Sequence, residues 1–346
     1  MKEKTQNADD RLVAAEKNPE ENQLDHTLRP ESLNDFVGQE NIKNNLSIAL
    51  TAAKKRGDVL EHIMLYGNPG LGKTTLAHII AHEMNSNIKI IAGPTLEKVG
   101  DLAAILSNLQ PGDILFIDEI HRLNKTIAEV LYPALEDFVL DIVIGQGPAA
   151  RTIRMPLAPF TLIGATTKIS MLPGPLRDRF GHVYHLNFYE TNEIETIINR
   201  NAKLLQIPIE PEAIQLIAAR ARRTPRIANR LLKRVRDYAE VHTNSIIDEV
   251  AAKGALNMLA IDELGLDEID RRLLNTLIEK FNGGPTGLNT LAAAIAEDMD
   301  TIETVYEPYL LQIGFLERTP RGRRASPAAY VHLGYNSPPN QMGANF

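Results

Sequence analysis

Continuous apolar runs and segments of helical period alternate along the first half of this chain. "IMLYG" (63–67), "IKIIAG" (88–93), "ILFID" (114–118) and "FTLIGAT" (160–166) are short, Ile- and Leu-rich runs, the pattern of strands buried on both faces. Between them, "TTLAHIIAHEM" (74–84), "DLAAILSNL" (101–109) and "KTIAEVLYPALE" (125–136) repeat apolar residues every three or four positions, as a helix with one buried face does. Strands alternating with helices predict a parallel sheet covered on both faces. After about residue 185 the strand pattern stops. "ETNEIETIINRNAKLL", "PEAIQLIAARAR" and "RIANRLLKRVRDYAEV" then predict a small helical domain ending near Leu256. Near Leu266 a third unit begins. "DEIDRRLLNTLIEKF", "LNTLAAAIAE" and "TIETVYEPYLLQI" predict three helices, and "GFLERTPRGRRASPAAYVHL" predicts a hairpin with a basic tip. Three short helices and a hairpin are the pattern of a winged helix.

Composition adds boundaries to this picture. The 346 residues are enough for two or three domains. Residues 1–26 are polar and poor in large apolar groups, so a disordered segment is expected there. The other expected units are 27–184, 185–257 and 258–335, with a loose tail at 336–346. With no Cys there is neither a disulfide framework nor a thiolate metal site. No apolar run approaches the roughly 20 residues that span a bilayer, and "MKEKTQNADD" lacks a signal-peptide core. A cytoplasmic protein with no membrane partner is expected. The net charge of −7 argues against binding DNA through bulk charge, although local basic patches remain.

The chemistry sits where strands hand over to helices. "GNPGLGKTT" (67–75) has Gly67, Gly72, Lys73 and Thr74 in the P-loop register. In such a loop backbone N–H groups face phosphate oxygens, the lysine reaches the β/γ-phosphates and the Thr hydroxyl ligates Mg²⁺. "ILFIDE" ends in Asp118, placed to hold the magnesium shell, and Glu119, placed to polarise an attacking water. Thr167 closes "FTLIGATT" and has a candidate role at the γ-phosphate. "LPGPLRDRFG" offers Arg177 and Arg179 as a subunit contact or an arginine finger, and spacing does not choose between them. In "RARRTPRIANRLLKRVRD", Arg222, Arg226, Arg230 and Lys233 are read as one face of an amphipathic helix, mostly solvated. Arg226 falls in the first turn, where it can lean toward a nucleotide.

These residues resemble the RuvB family of AAA+ ATPases, the Holliday-junction branch-migration motors, from Leu28 to about Leu333. The stretches that carry the resemblance include "RPESLNDFVGQ", "GPTLEKVGDLAAIL", "LFIDEIHRL", "LYPALEDF", "DIVIGQGPAAR", "PLRDRFG", "TPRIANRLL" and "RTPRGR". The implied fold class is α/β, an AAA+ P-loop domain with a parallel sheet, then a helical lid and a C-terminal winged helix. The implied cofactors are ATP and Mg²⁺. The resemblance implies nucleotide contacts for Leu28, Arg29, Gly70, Gly72, Lys73, Thr74, Thr75, Glu136, Asp137, Phe138 and Tyr189. It further implies a Walker B pair at Asp118 and Glu119, sensor 1 at Thr167, a finger at Arg179 and sensor 2 at Arg226. Implied partners are a homohexameric ring, double-stranded DNA at Holliday junctions, RuvA at a hairpin near 140–156, and RuvC in the resolving complex. Three residues depart from the family pattern: Asn68 for Pro, Lys168 for Arg, and Arg223 for a Gly before "TPR". The alternative job for the same fold is a clamp-loader-like or initiator-loader-like ATP switch.

The basic tip "LERTPRGRRA" (316–325) holds Arg318, Arg321, Arg323 and Arg324. The preceding helix, 301–313, has no Lys or Arg but carries Glu303 and Glu307. Two carboxylates facing phosphates repel them, so the wing rather than the helix is expected to touch DNA, with Arg318, Arg321 and Arg323 as the contacts. Phosphate contacts hold position without reading sequence, as a motor requires.

Overall fold

The computed structural model describes residues 27–144 and 151–336. The expected disordered segment 1–26, the tip of the hairpin near 145–150 and nearly all of the tail lie outside the described residues. Two compact units form. One comprises Arg29–Gly67 and Leu71–Asn187, and the other Leu28, Asn68–Gly70 and the chain from Phe188 onward. Among the described residues no helix is long and apolar enough to cross a membrane.

In the first unit the elements run α1 (Glu40–Arg56), β1 (Ile63–Tyr66), α2 (Lys73–Met84), β2 (Ile88–Ala92), α3 (Val99–Ser107), β3 (Ile114–Asp118) and α4 (Lys125–Glu136). There follow the strands β4 (Val139–Ile144), β5 (Arg151–Pro156) and β6 (Thr161–Thr166), a single turn α5 (Gly174–Arg177), and β7 (His182–His185). Five strands form one parallel sheet in the order β2-β3-β6-β1-β7. The apolar runs of β1, β3 and β6 lie inside it, and β6 is buried at every position. Burying each such Leu or Ile side chain contributes ~1.5–3 kcal/mol. Strands β4 and β5 pair antiparallel as a separate hairpin, with Val139 opposite Pro156.

Two expectations about the sheet need correction. β2 was expected to be buried, but it is an edge strand with Lys89 and Ile90 exposed. An isoleucine run signals strand, yet position in the sheet decides whether both faces and both edges are covered. The fifth strand, "HVYH", was missed. It pairs only with β1, has four residues and interleaves two His among its apolar side chains, too short a signal for periodicity to resolve.

The second unit holds α6 (Thr191–Leu204), α7 (Pro211–Arg220), α8 (Pro225–His242), α9 (Glu249–Met258), α10 (Glu268–Phe281) and α11 (Leu288–Ile295). α12 runs through a turn Met299–Thr301, a π turn Ile302–Tyr306 and an α segment Glu307–Gln312. β8 (Leu316–Thr319) and β9 (Gly322–Ala325) make the wing, and α13 (Pro327–His332), read in the sequence as part of that hairpin, closes the chain over it. Local signals set the helix starts. Asp248 caps α9 by accepting from the Ala251 N–H, and Asp267 and Asp270 form a reciprocal capping box on α10. Leu273, Leu274, Leu277, Leu291, Ile302, Tyr306 and Leu310 meet in one core beneath the wing.

Candidate functional site

Parallel strands carry their chemistry at one end. At the carboxyl ends of β1, β3 and β6 stand the phosphate loop, Asp118–Glu119 and Thr166–Thr167. Lys73 opens α2, is nearly buried, and donates from Nζ to the Gly67 carbonyl at 2.7 Å. Asp118 ends β3 and accepts from the Glu119 N–H at 3.0 Å, and Glu119 takes a left-handed backbone with φ 48°. Its carbonyl is so close to Gly93 that a Cβ there would fall 2.5 Å from the oxygen. Only glycine permits that approach. The Glu119 carboxylate pairs with Arg122 at 3.2 Å. Both side chains are well exposed, and such pairs contribute little, ~0–1 kcal/mol, so Glu119 is readily released to meet a substrate.

The sequence reading chose Thr167 at the end of β6. The structure adds Thr166 and His121 beside it. The buried Thr166 hydroxyl lies 2.9 Å from His121 Nδ1 and accepts from the Lys168 N–H at 2.9 Å. This ties the turn after β3 to the end of β6, and thereby relates Glu119 to Thr167. The signal was present in "IDEIH", but only the β3–β6 pairing brings His121 to Thr166. Lys168, one of the family departures, keeps its backbone contact.

Arg179 lies at the other end of the sheet. Its Nε donates to the Tyr132 carbonyl (3.2 Å), Nη1 to the Pro175 carbonyl (2.6 Å) and Nη2 to Glu136 (2.7 Å), with the guanidinium 4.8 Å from the Tyr132 ring centroid. Arg177, equivalent to it by spacing, is exposed. The element that holds Arg179, the carboxyl end of α4, is fixed by His62 just before β1. His62 Nδ1 accepts from the Leu162 N–H at 2.9 Å, so Nε2 carries the proton and donates to the Leu135 carbonyl at 2.9 Å. Burial pushes this imidazole down, keeping it neutral. Phe138 packs edge-on to Phe160 and His62.

Glu136, Asp137 and Phe138, expected among the nucleotide residues, sit with Arg179 by the amino ends of β1 and β6. The phosphate loop of the same chain follows the carboxyl end of β1, and four strand residues at about 3.3 Å each separate the two ends.

Of the other nucleotide candidates, Arg29 lies in the first unit and Leu28, Gly70, Tyr189 and Arg226 lie in the second. Leu28 is buried, with its carbonyl accepting from Arg200 at 2.9 Å. Tyr189 is buried just before α6. Arg226 lies in the first turn of α8, and a Cβ on Gly70 would come 2.9 Å from its Cβ. The arginine thus sits against Gly70 and lines a cleft with Asn68 and Pro69. Arg223, which stands where the family has Gly, adopts φ 56°, a conformation costing on the order of 1–2 kcal/mol for a side-chain-bearing residue. Its Nε donates to the Tyr189 carbonyl at 2.8 Å, its other end pairs with Glu190, and its own carbonyl accepts from the Tyr189 N–H. These bonds hold the turn, so Arg226 keeps its place without the glycine.

Arg222 overturns its expected role. It was read as part of a solvated helical face, but α8 begins only at Pro225. Arg222 lies in the preceding turn at 2% exposure and pairs with Asp270 at 0%. No periodicity reveals this, because the partner is 48 residues away.

In the winged helix it is a carboxylate whose orientation differs from the expectation. Glu307 does not face outward. It is fully buried and accepts from Arg318 Nε at 2.9 Å and from Arg323, whose Nη2 also lies 3.9 Å from Glu303. Arg324 pairs across the hairpin with Glu317. Among the described residues, only Arg321 of the four has no ion pair. It occupies the tip, between Thr319 and Gly322, and is exposed. Arg318 and Arg324 keep 48% and 41% of their side-chain surface exposed while paired, and Arg323 keeps 17%.

Three family profiles match the chain in succession. They are the Holliday junction DNA helicase RuvB P-loop domain over residues 28–186, the RuvB AAA lid domain over 189–262 and the RuvB C-terminal winged helix domain over 263–334. The Holliday junction branch migration complex subunit RuvB of Dehalococcoides mccartyi is 56% identical over 337 residues, 96% of this chain and 97% of that protein. Its counterpart in Chloroflexus aggregans is 56% identical over 333 residues, 96% and 95% of the two chains. A solved structure of the Thermotoga maritima RuvB Holliday junction branch migration motor matches with a TM-score of 0.83 at 53% identity, covering 90% of this chain and 100% of that one.

Proposed function

Because this chain belongs to the RuvB family, we propose a division of its work among the residues described above. The chain is an ATP-hydrolysing motor for branch migration of Holliday junctions. The observation that carries the assignment is the opposition of the two sheet ends. Lys73, Thr74, Asp118, Glu119 and Thr167 gather at one end and Arg179 at the other, so one subunit holds a phosphate site and a finger that do not meet. Head-to-tail contact between copies brings one chain's Arg179, with Glu136, Asp137 and Phe138, to the next chain's phosphate loop. Contacts of that kind close into rings, and a homohexamer is the proposed assembly.

Within the site, Gly70, Gly72 and Thr75 contribute backbone donors, and Lys73 exchanges its bond to the Gly67 carbonyl for phosphate oxygens. The Thr74 hydroxyl and Asp118 carboxylate are hard oxygen donors, one neutral and one anionic, a set that fits Mg²⁺ sharing its remaining positions with phosphates and water. When bound, that ion neutralises charge developing on the transferred phosphoryl group. Glu119 takes the proton of the attacking water, Thr167 orients that water, and Thr166 with His121 fixes both. Leu28, Arg29 and Tyr189 hold the base side of the nucleotide, and Arg226 carries its state into α8.

The wing grips duplex DNA through Arg321, while Arg318 and Arg323, pinned to Glu307, position the tip. Arg321→Ala should weaken DNA binding evenly across sequences and reduce the slope of log affinity against log salt by about one per engaged wing, as a salt titration on two unrelated duplexes measures. The β4–β5 hairpin, with Ile153 exposed at 51%, is the proposed RuvA dock, and RuvC joins at resolution. The units 27–184, 185–257 and 258–335 are the proposed functional domains, acting in the cytoplasm. Strand displacement from a synthetic four-way junction, with RuvA and ATP present, tests the reading. Many ATP turnovers accompanied by junction movement are expected, and one turnover per binding event would instead indicate a loader.

A further inference from the structure

Among the described residues, the largest fully buried side chain is an arginine, Arg222. It stands four residues before Arg226, in the turn that leads into α8. Its Nη1 and Nη2 donate to the two oxygens of Asp270 at 2.9 and 3.2 Å. The same guanidinium lies 4.6 Å from the centroid of Tyr309, and the Tyr309 hydroxyl donates to the Leu264 carbonyl at 2.6 Å. Asp270 also accepts from the Asp267 N–H at 3.0 Å, which fixes it to the first turn of α10. One residue of the lid is thus bound to two helices of the winged helix and, through Tyr309, to Leu264 in the segment between α9 and α10.

We infer that Arg222, Asp270 and Tyr309 are a coupling joint that makes the lid and the winged helix turn as one body, so that a lid movement set by the nucleotide is delivered to the wing. Geometry on both sides supports this. Toward the nucleotide, Arg226 follows Arg222 by four residues and rests on Gly70. Toward the DNA, Tyr309 follows Glu307 by two residues in α12, and Glu307 anchors Arg318 and Arg323 of the wing. The residues between, Thr224, Ile227, Arg230, Thr304, Val305 and Pro308, line a common cleft with Gly70 and Arg226. A pair of matched, directional bonds suits a joint better than apolar contact, which lets packed surfaces slide. Burial raises the Asp270 carboxyl to about 7 while Arg222 pulls it down. At neutral pH the charge on Asp270 therefore depends on Arg222 being in place.

The inference rests on Arg321 as the DNA contact for its functional consequence, but the joint itself is measurable without DNA. The absence of Cys allows two labels to be placed cleanly, at Val241→Cys in the lid and Val331→Cys in the winged helix, both highly exposed. Single-molecule energy transfer on the full chain should give one narrow distance distribution, with the same width in ATP and ADP. Asp270→Asn should broaden it and lower base pairs migrated per ATP about tenfold, with the ATPase rate itself within about twofold of wild type. Arg222→Met and the double variant should show the same loss as Asp270→Asn, without addition, because all three break one joint. If Arg222→Met fails to fold, the double variant, which retains neither buried charge, replaces it. An unchanged distribution, additive losses, or ATPase and migration falling together would each overturn the joint. A failure of the wing assignment shows separately, as Arg321→Ala leaving DNA affinity and salt slope unchanged while the distance distributions still respond to Asp270→Asn.

Discussion

Replacing Arg179 with alanine should lower ATP turnover by a factor of about 10³ or more while leaving nucleotide binding to each subunit nearly intact. Arginine fingers contribute roughly 10³–10⁵ to phosphoryl transfer by meeting charge that exists only in the transition state. The structure gives the reason for expecting action on a neighbour. Arg179 is held by Tyr132, Pro175 and Glu136 at the amino end of a parallel sheet whose carboxyl end carries the phosphate loop. Three contacts orient the guanidinium before any partner arrives, so little is lost in ordering it. The Glu136 pair must open for the finger to meet a phosphate. Glu136→Gln, which weakens that grip, should therefore leave more turnover than Arg179→Ala does. Steady-state hydrolysis with binding of a fluorescent nucleotide measures both.

Glu119→Gln should bind ATP normally and hydrolyse it about 10²–10⁴ times more slowly, the usual contribution of a positioned general base. The amide keeps the size of the side chain, so the left-handed turn against Gly93 and the Asp118 contact survive. Only the ability to take a proton is lost. The two variants also test each other. A chain lacking the finger retains a complete phosphate site, and a chain lacking the base retains a finger. Mixed in one ring, they create junctions where an intact site faces an intact finger, and part of the turnover should return. Hydrolysis equal to wild type in Glu119→Gln, or no recovery on mixing, would contradict the two assignments in turn.

Much of this could be read before any coordinates. The P-loop spacing, the strand that ends in Asp118 and Glu119, the helices of the lid, and the hairpin tip with Arg321 are all local patterns, and each recurs in the structure at or near its expected bounds. Local patterns state what a segment becomes because backbone hydrogen bonding and side-chain period act over a few residues. They do not state which face meets what. "IKIIAG" reads as a buried strand and lies at an edge, and "HVYH" reads as nothing and completes the sheet. Thr167 was legible as a strand end, whereas His121 beside Thr166 required two strands to be laid side by side.

Charge was the least legible property. Four arginines in ten residues look like a phosphate grip, and a helix with two glutamates looks repulsive. The expected repulsion changed once Glu307 was seen buried under Arg318 and Arg323, with Arg321 the wing arginine that makes no ion pair among the described residues. Arg222 changed in the same way, from a solvated helix face to a buried joint with Asp270. The sequence by itself determined most of the elements, the phosphate-loop chemistry and the family. The tertiary structure alone decided which charges cancel, at which end of the sheet Arg179 lies, and that Arg222 meets Asp270. The physical reason is that a charge costs or contributes free energy according to its distance from a partner and from water, and both distances are set by residues far away in the chain.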